Sequence, residues 1–250
     1  MILAVANQKG GVGKTTIAFS LAKMSSLERE TLAIDLDPQG NFTSCFTDSL
    51  SDSSNVKLLW EKDKDGNAQD GLLTPSPLGK NFSLIGSDIS LSFWETGGGA
   101  ASYFKLGGWL KRHKQEDTWT IIDCPPNLGI FSINAFIAAD YVLIPVDASK
   151  FCITGLEALF RSMKEVNREL RQDGGLKVAG ILLSAVNPRM LFVQEIRRQL
   201  REKYKPHLME TNIPASIRVR EALADGEMVS QGPAYVAFQA MYHELKGRIT

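Results

Sequence analysis

Ile2 to Lys23, ILAVANQKGGVGKTTIAFSLAK, is the stretch whose reading decides the fold. It opens with ILAVAN, apolar enough for a buried strand, passes through a glycine-rich loop flanked by lysines, and continues into a helix-length segment from Lys14 to Leu27. A loop without Cβ atoms lets successive backbone N–H groups turn inward on an anion, and the helix that follows adds the positive end of its dipole. Lys14 can then reach β- and γ-phosphates, and the Thr15 hydroxyl is placed to ligate Mg²⁺. Gly10, Gly11, Val12, Gly13, Lys14, Thr15 and Thr16 form the candidate nucleotide-binding set. The strict G-x-x-x-x-G-K-[ST] pattern fails at one position, because Gln8 stands where its first glycine belongs, and a second lysine, Lys9, lies upstream of Lys14. A glycine-rich turn with incidental lysines is the competing reading; it leaves the strand before and the helix after without a purpose.

Outward from this loop, short β-rich runs alternate with helix-length segments. TLAIDLD is followed later by WTIIDCP, Ile130 to Ala138, YVLIPVD, Thr154 to Arg171, KVAGILLSAV and Leu191 to Lys203. Strands that read as near-continuous apolar runs belong to a parallel sheet covered by helices on both faces. The expectation is an α/β, doubly wound, mostly parallel sheet, with residues 1–250 forming one domain. Ser49 to Lys80 is the least regular part and reads as surface connection with one embedded helix or strand around the apolar patch Val56 to Trp60. Phe82 to Ser87 reads as another short strand, and the Gly97 to Gly99 run as a loop before a helix around Tyr103 to His113. From Gly232 to Ile249 the apolar residues recur at three- and four-residue steps, the mark of a core-facing helix.

Composition narrows the function classes. The chain has 250 residues, 44% hydrophobic and 22% charged, with 28 basic and 28 acidic side chains. Collagen-like, disordered and small disulfide-stapled classes do not fit. Cys45, Cys124 and Cys152 form no C-x-x-C pair and read as small packing residues of a cytosolic protein. No run approaches the ~18 apolar residues of a membrane span. Net neutrality hides an asymmetry: 13 basic and 17 acidic residues in 1–150 leave 15 and 11 for 151–250, so an anionic partner should meet the C-terminal half.

Two further segments end strands in carboxylates. Asp35 and Asp37, in AIDLDPQGN, stand at i and i+2 and so share a face, before a Pro and Gly turn. At the C-terminal edge of a parallel sheet they would face a nucleotide crevice; alone, they would read as caps of a turn. Asp123 ends the buried-strand pattern TIID, where it would hold Mg²⁺ against the Thr15 hydroxyl.

Together, KGGVGKTT, DLDPQGN and DCPPNLG resemble the deviant Walker A ATPases of the ParA/MinD superfamily. The resemblance spans nearly the whole chain and is weakest over Ser49 to Lys80. It implies ATP and Mg²⁺ as cofactors, and Lys9, Lys14 and Asp37 as catalytic residues. Lys9 would reach the partner's phosphates across an ATP-dependent homodimer, and Asp37 would orient or deprotonate the attacking water. Asn187, in GILLSAVNPR, and Pro214 match the adenine-holding segments. Asn127 replaces the family's usual serine, and Cys124 occupies a variable position.

The partition branch binds DNA nonspecifically through basic residues of this C-terminal region, and releases it when a ParB-type or cargo-adaptor protein stimulates hydrolysis. Candidates here are Arg189, Arg197, Arg198 and Arg201, with Arg218 and Arg220 as a competing patch, although a basic run by itself is usually a solvated helix face. The resemblance therefore implies a cytoplasmic, nucleoid-associated ATP hydrolase that segregates or positions a plasmid, chromosome or protein body, without stable membrane insertion. Two alternatives stand beside it: a MinD-like membrane-associated positioning ATPase, and an ATP-dependent ligase of the dethiobiotin synthetase or cobyric acid type.

Overall fold

The computed structural model describes residues 1–96, 99–113, 115–171 and 175–249. In chain order the elements are β1 (Ile2–Val5), α1 (Lys14–Ser26), β2 (Thr31–Asp35), α2 (Asn41–Ser44), β3 (Ser76–Gly79), β4 (Phe82–Ile85), α3 (Lys105–Arg112), β5 (Trp119–Asp123), α4 (Ile130–Ala138), β6 (Tyr141–Val146), α5 (Cys152–Glu169), β7 (Lys177–Val186), α6 (Leu191–Tyr204), β8 (Leu208–Pro214), α7 (Ile217–Ala224) and α8 (Gly232–Ile249). The strands form one sheet in the order β3-β4-β2-β5-β1-β6-β7-β8, parallel throughout except for β3 at one edge. The doubly wound, mostly parallel α/β expectation is met.

Each face of the sheet has its own core. On one, Leu106, Trp109, Phe131, Leu156 and Leu200 of α3 to α6 pack against Ile34, Ile122 and Ile144. On the other, Ile17 and Phe19 of α1, Phe42 of α2 and Phe238, Met241 and Leu245 of α8 cover Leu3, Val5 and Leu182. The α8 stripe is therefore core, as its spacing predicts. β1 lies between β5 and β6; the chain leaves β1 for β2 on one side and β6 for β7 on the other. Such a reversal opens a crevice beyond the C-terminal strand ends.

Two regions depart from expectation. Val56 to Trp60 is core, with Val56 and Leu59 fully buried and the Trp60 ring edge-on to Phe131 at 5.2 Å. Around it the segment folds into short 3₁₀ turns rather than one helix, and its only strand of the sheet is β3. The helix expected around Tyr103 to His113 is present as α3, entered through a 3₁₀ turn over Ala100–Phe104. Gly97 and Gly98 of the loop before it lie outside the described residues. Finally, β8 and α7 were not anticipated, because LMETNIP mixes polar residues into an edge strand.

Candidate functional site

The loop after β1 is shaped by glycines and anchored from a distance. Gly13 has φ 86°, and a Cβ there would lie 2.8 Å from the Ser184 hydroxyl of β7, so both backbone and space demand glycine. No side chain caps the start of α1, which leaves its first N–H groups facing the loop. At the loop's entry the Asn7 side-chain amide donates to Pro145 O at 2.6 Å and its oxygen accepts from Lys9 N at 3.0 Å. Asn7, Ser184 and Pro145 gave no signal in the sequence, because their partners are far away along the chain.

Lys14 is buried and its ammonium donates to Lys9 O at 3.1 Å, curling the side chain over its own loop. Burial pushes its pKa below the ordinary lysine value, opposed chiefly by the Asp123 carboxylate. Thr15 donates its hydroxyl to Asp123 Oδ2 at 2.7 Å, while Asp123 Oδ1 is buried without a hydrogen-bond partner among the described residues. Burial first, and then the Asp35 charge, holds the Asp123 carboxyl well above the usual range. A hydroxyl, a carboxylate and an orphaned carboxylate oxygen are the hard donors that Mg²⁺ takes together with substrate phosphates, so the residues fit that ion.

Asp35 and Asp37 separate into different jobs. Asp35, fully buried, accepts from Asp37 N at 2.9 Å, Thr43 N at 2.9 Å and the Thr43 hydroxyl at 2.8 Å. It is pushed up to about 6, burial outweighing these hydrogen bonds. Asp35 thus pins α2 beneath the site. Asp37 is half-buried; one of its oxygens accepts from Gln39 N at 3.0 Å. Its charge acts on Lys14, Asp123 and Asp35. Burial likewise keeps the Cys124 thiol well above its ordinary value, in keeping with a packing role.

Lys9 points elsewhere. Its ammonium bonds Asp147 Oδ2 at 2.5 Å and the Ser149 hydroxyl at 3.0 Å, both just past the end of β6. Sequence reasoning missed Asp147 and Ser149, whose position depends on β6 lying beside β1.

Asn187 follows β7 and accepts from Arg189 N at 3.1 Å; Pro214 ends β8 in register with Val186. The two adenine candidates therefore flank one strand junction, beside Ala185, whose φ of 54° is strained for alanine.

The basic run is largely spent internally. Arg197 bonds Asn212 Oδ1 at 2.5 Å, Met209 O and Glu210, bracing β8. Arg198 pairs with Glu195 and Glu202, Arg201 with Glu210, and Lys203 with Glu157. Arg189, Arg218 and Arg220 are exposed and make no ion pair among the described residues. No helix among the described residues is long and apolar enough to cross a membrane.

A parallel sheet with a glycine-rich loop leading into a helix, a buried lysine and a Thr–Asp couple at its C-terminal edge defines a P-loop nucleoside triphosphatase. A family model described as an AAA domain matches residues 1–176. The chromosome partitioning protein ParA of Myxococcus xanthus is 31% identical over 240 residues, covering 91% of this chain and 80% of that protein. The chromosome-partitioning ATPase Soj of Thermus thermophilus is 30% identical, covering 99% and 96%. Among solved structures, apo McdA of Cyanothece superposes with a TM-score of 0.84 at 25% identity, covering 100% of this chain and 99% of that one. The chain belongs to the ParA-type branch of the ParA/MinD superfamily of deviant Walker A ATPases.

Proposed function

We propose that residues 1–250 act as one ATPase unit that pairs with a second copy on binding ATP and Mg²⁺, binds DNA without sequence preference, and lets go when an adaptor of the ParB or cargo-bound type accelerates hydrolysis. Its place is then the cytoplasm, on the nucleoid. The observation that carries this reading is the split between the two lysines. Lys14 is folded into its own loop, whereas Lys9 stands on the rim, its side chain 42% exposed, where a partner's phosphates could claim it. Phe151, Leu191 and Ile217 lie exposed on the same rim, after β6, β7 and β8, apolar surface that a second copy would cover.

In this reading Lys14 and the backbone N–H groups from Gly10 to Thr16 bind the phosphates, and Asn187 and Pro214 hold the base. Thr15 and Asp123 would hold Mg²⁺, which when bound would supply positive charge to the phosphates. Asp37 orients the attacking water, for which its free edge suits it better than the fully engaged Asp35. For DNA, the unpaired Arg189, Arg218 and Arg220 are favoured over Arg197, Arg198 and Arg201. The membrane alternative has less support, because the apolar stripe of α8 is buried in the core.

The test is a gel shift of a random-sequence DNA fragment, with liposome pelleting in parallel. ATP and Mg²⁺ should make the wild-type protein retard the DNA. Lys14→Ala should bind neither ATP nor DNA, and the Arg218→Ala/Arg220→Ala protein should hydrolyse ATP at the basal rate without shifting DNA. Pelleting with liposomes and no shift would reject the nucleoid reading.

A further inference from the structure

Near its C-terminal end, β7 carries one residue more than the strand beside it. Leu183 pairs with Asn212 of β8 and Val186 with Pro214, three steps on one strand against two on the other. We infer that this bulge, with Ala185 as its extra residue, is a positioning device that turns Asn187 toward the nucleotide base. Ala185 then acts through Asn187, and its role rests on the reading of Asn187 as a base contact.

The alternation of side chains along β7 shows the slip. In an unbroken strand, residues two apart share a face. Ile181 and Leu183 pack in the core on the side of α3 to α6, and Leu182 in the core on the side of α1 and α8. Ser184 keeps to the α1 side, since a Cβ on Gly13 would lie 2.8 Å from its hydroxyl. Val186 should follow Ser184, yet it is buried with Ile181 and Leu183 in the other core. The phase therefore moves by one residue at Ala185. Carried one step past Val186, the alternation brings Asn187 to the face of Ser184 and the phosphate loop; without the extra residue Asn187 would fall on the side of α3 to α6. Bulges bend a strand and re-aim a side chain, and they are over-represented next to active sites.

Packing of its own side chain does not explain the conformation of Ala185, which is exposed and has φ 54°. Among the described residues Asp117 is the other non-glycine residue at positive φ, and it lies in a turn before β5, where a short polar side chain tolerates that conformation. Strain of this kind persists only where the surrounding structure imposes it, and it clusters at ligand sites. Just beyond the bulge, pairing resumes, with Ala215 N donating to Val186 O at 3.1 Å. Asn187 is then held twice: its backbone oxygen accepts from Met190 N at 3.1 Å, and its Oδ1 from Arg189 N at 3.1 Å. The side-chain NH₂ is left to donate, and the ring nitrogens of a purine accept.

Calorimetric titration of the full chain with ATP and with inorganic tripolyphosphate, which has no base, separates the two halves of the site. A β-branched residue resists positive φ, so Ala185→Val removes the bulge's conformation. It should weaken ATP by about three- to tenfold, the net worth of one hydrogen bond, and leave tripolyphosphate binding unchanged. Asn187→Ala should do the same, and the double variant should lose no more than either alone. Ala185→Gly, free to adopt the conformation, should bind ATP as wild type does and melt no lower, and it serves if the valine variant misfolds. Unchanged ATP affinity in folded Ala185→Val beside a weakened Asn187→Ala would overturn the role of Ala185 alone. Unchanged ATP affinity in Asn187→Ala would overturn the base contact and this role with it. Equal weakening of ATP and tripolyphosphate in Ala185→Val, or a lower melting temperature in Ala185→Gly, would assign the bulge to the fold instead.

Discussion

At the C-terminal ends of β2 and β5, two carboxylates, Asp35 and Asp123, are fully or almost fully buried near one buried ammonium, Lys14. On α6, four cations, Arg197, Arg198, Arg201 and Lys203, each lie against a carboxylate. The first arrangement is costly, because burying an ion carries a penalty of several kcal/mol that one imperfect pairing does not recover. The second costs little and contributes little, since pairs near solvent are worth about 0–1 kcal/mol. Charge held at a cost marks where a ligand completes the site, while charge neutralised within the chain is ordinary helix surface.

Lys9 is paired near the surface like the α6 cations, yet it stands beside the phosphate loop, and replacing it sharpens the contrast most. Lys9→Ala should lower ATP turnover by about 10³- to 10⁵-fold, as expected for a cation supplied across an interface, while nucleotide affinity changes little. Steady-state turnover and a fluorescent-nucleotide titration read the two quantities separately. A variant with wild-type turnover would break the proposed role.

Asp37 comes next. Removing a group that positions or activates water costs about 10²- to 10⁴-fold in rate and leaves ground-state ATP contacts in place. Asp37→Ala should therefore accumulate as an ATP-bound dimer, and light scattering that finds only monomer at saturating ATP and Mg²⁺ would contradict the role.

A smaller effect belongs to Asp147, which holds Lys9 at 2.5 Å within its own chain. Because two bridges open in each two-fold dimer, releasing exposed pairs of about 0.2–1 kcal/mol apiece should let Asp147→Asn dimerise with ATP at up to about thirtyfold lower protein concentration. Analytical ultracentrifugation measures the shift; weaker dimerisation than wild type would mean that Asp147 supports the pairing surface instead.

The smallest effect is expected on α6. Arg198 lies between Glu195 and Glu202, and Arg198→Ala should leave the melting temperature, turnover and DNA retardation unchanged. A lost gel shift would return the DNA surface to this helix and undo the distinction between paired and unpaired arginines.

How much of this could be read beforehand follows from sequence separation. The glycine loop, Asp37 and Asp123 are legible because each needs only a few neighbours: a strand before it, a turn or helix after it. The roles that separate Asp35 from Asp37 are less so, since they depend on Thr43, eight residues beyond Asp35, folding back as α2. Lys9 with Asp147, Gly13 with Ser184, and Arg197 with the β8 backbone join positions that only the strand order brings together. Val56 to Trp60 shows the same limit in the core. Its apolar residues are evident, but nothing local says that they fill a gap beside Phe131 rather than a patch of surface.

The bridge between Lys9 and Asp147 also sets how the molecule should answer to salt. Its two side chains are 42% and 32% exposed, so added electrolyte weakens their attraction and frees Lys9 for a partner. The same electrolyte opposes DNA, because each phosphate neutralised lowers log affinity by about 0.9 per tenfold rise in salt. The contact that Lys9 would make with a partner's phosphates is screened in the same way, so no gain in pairing offsets this loss, and occupancy of DNA should fall as ionic strength rises.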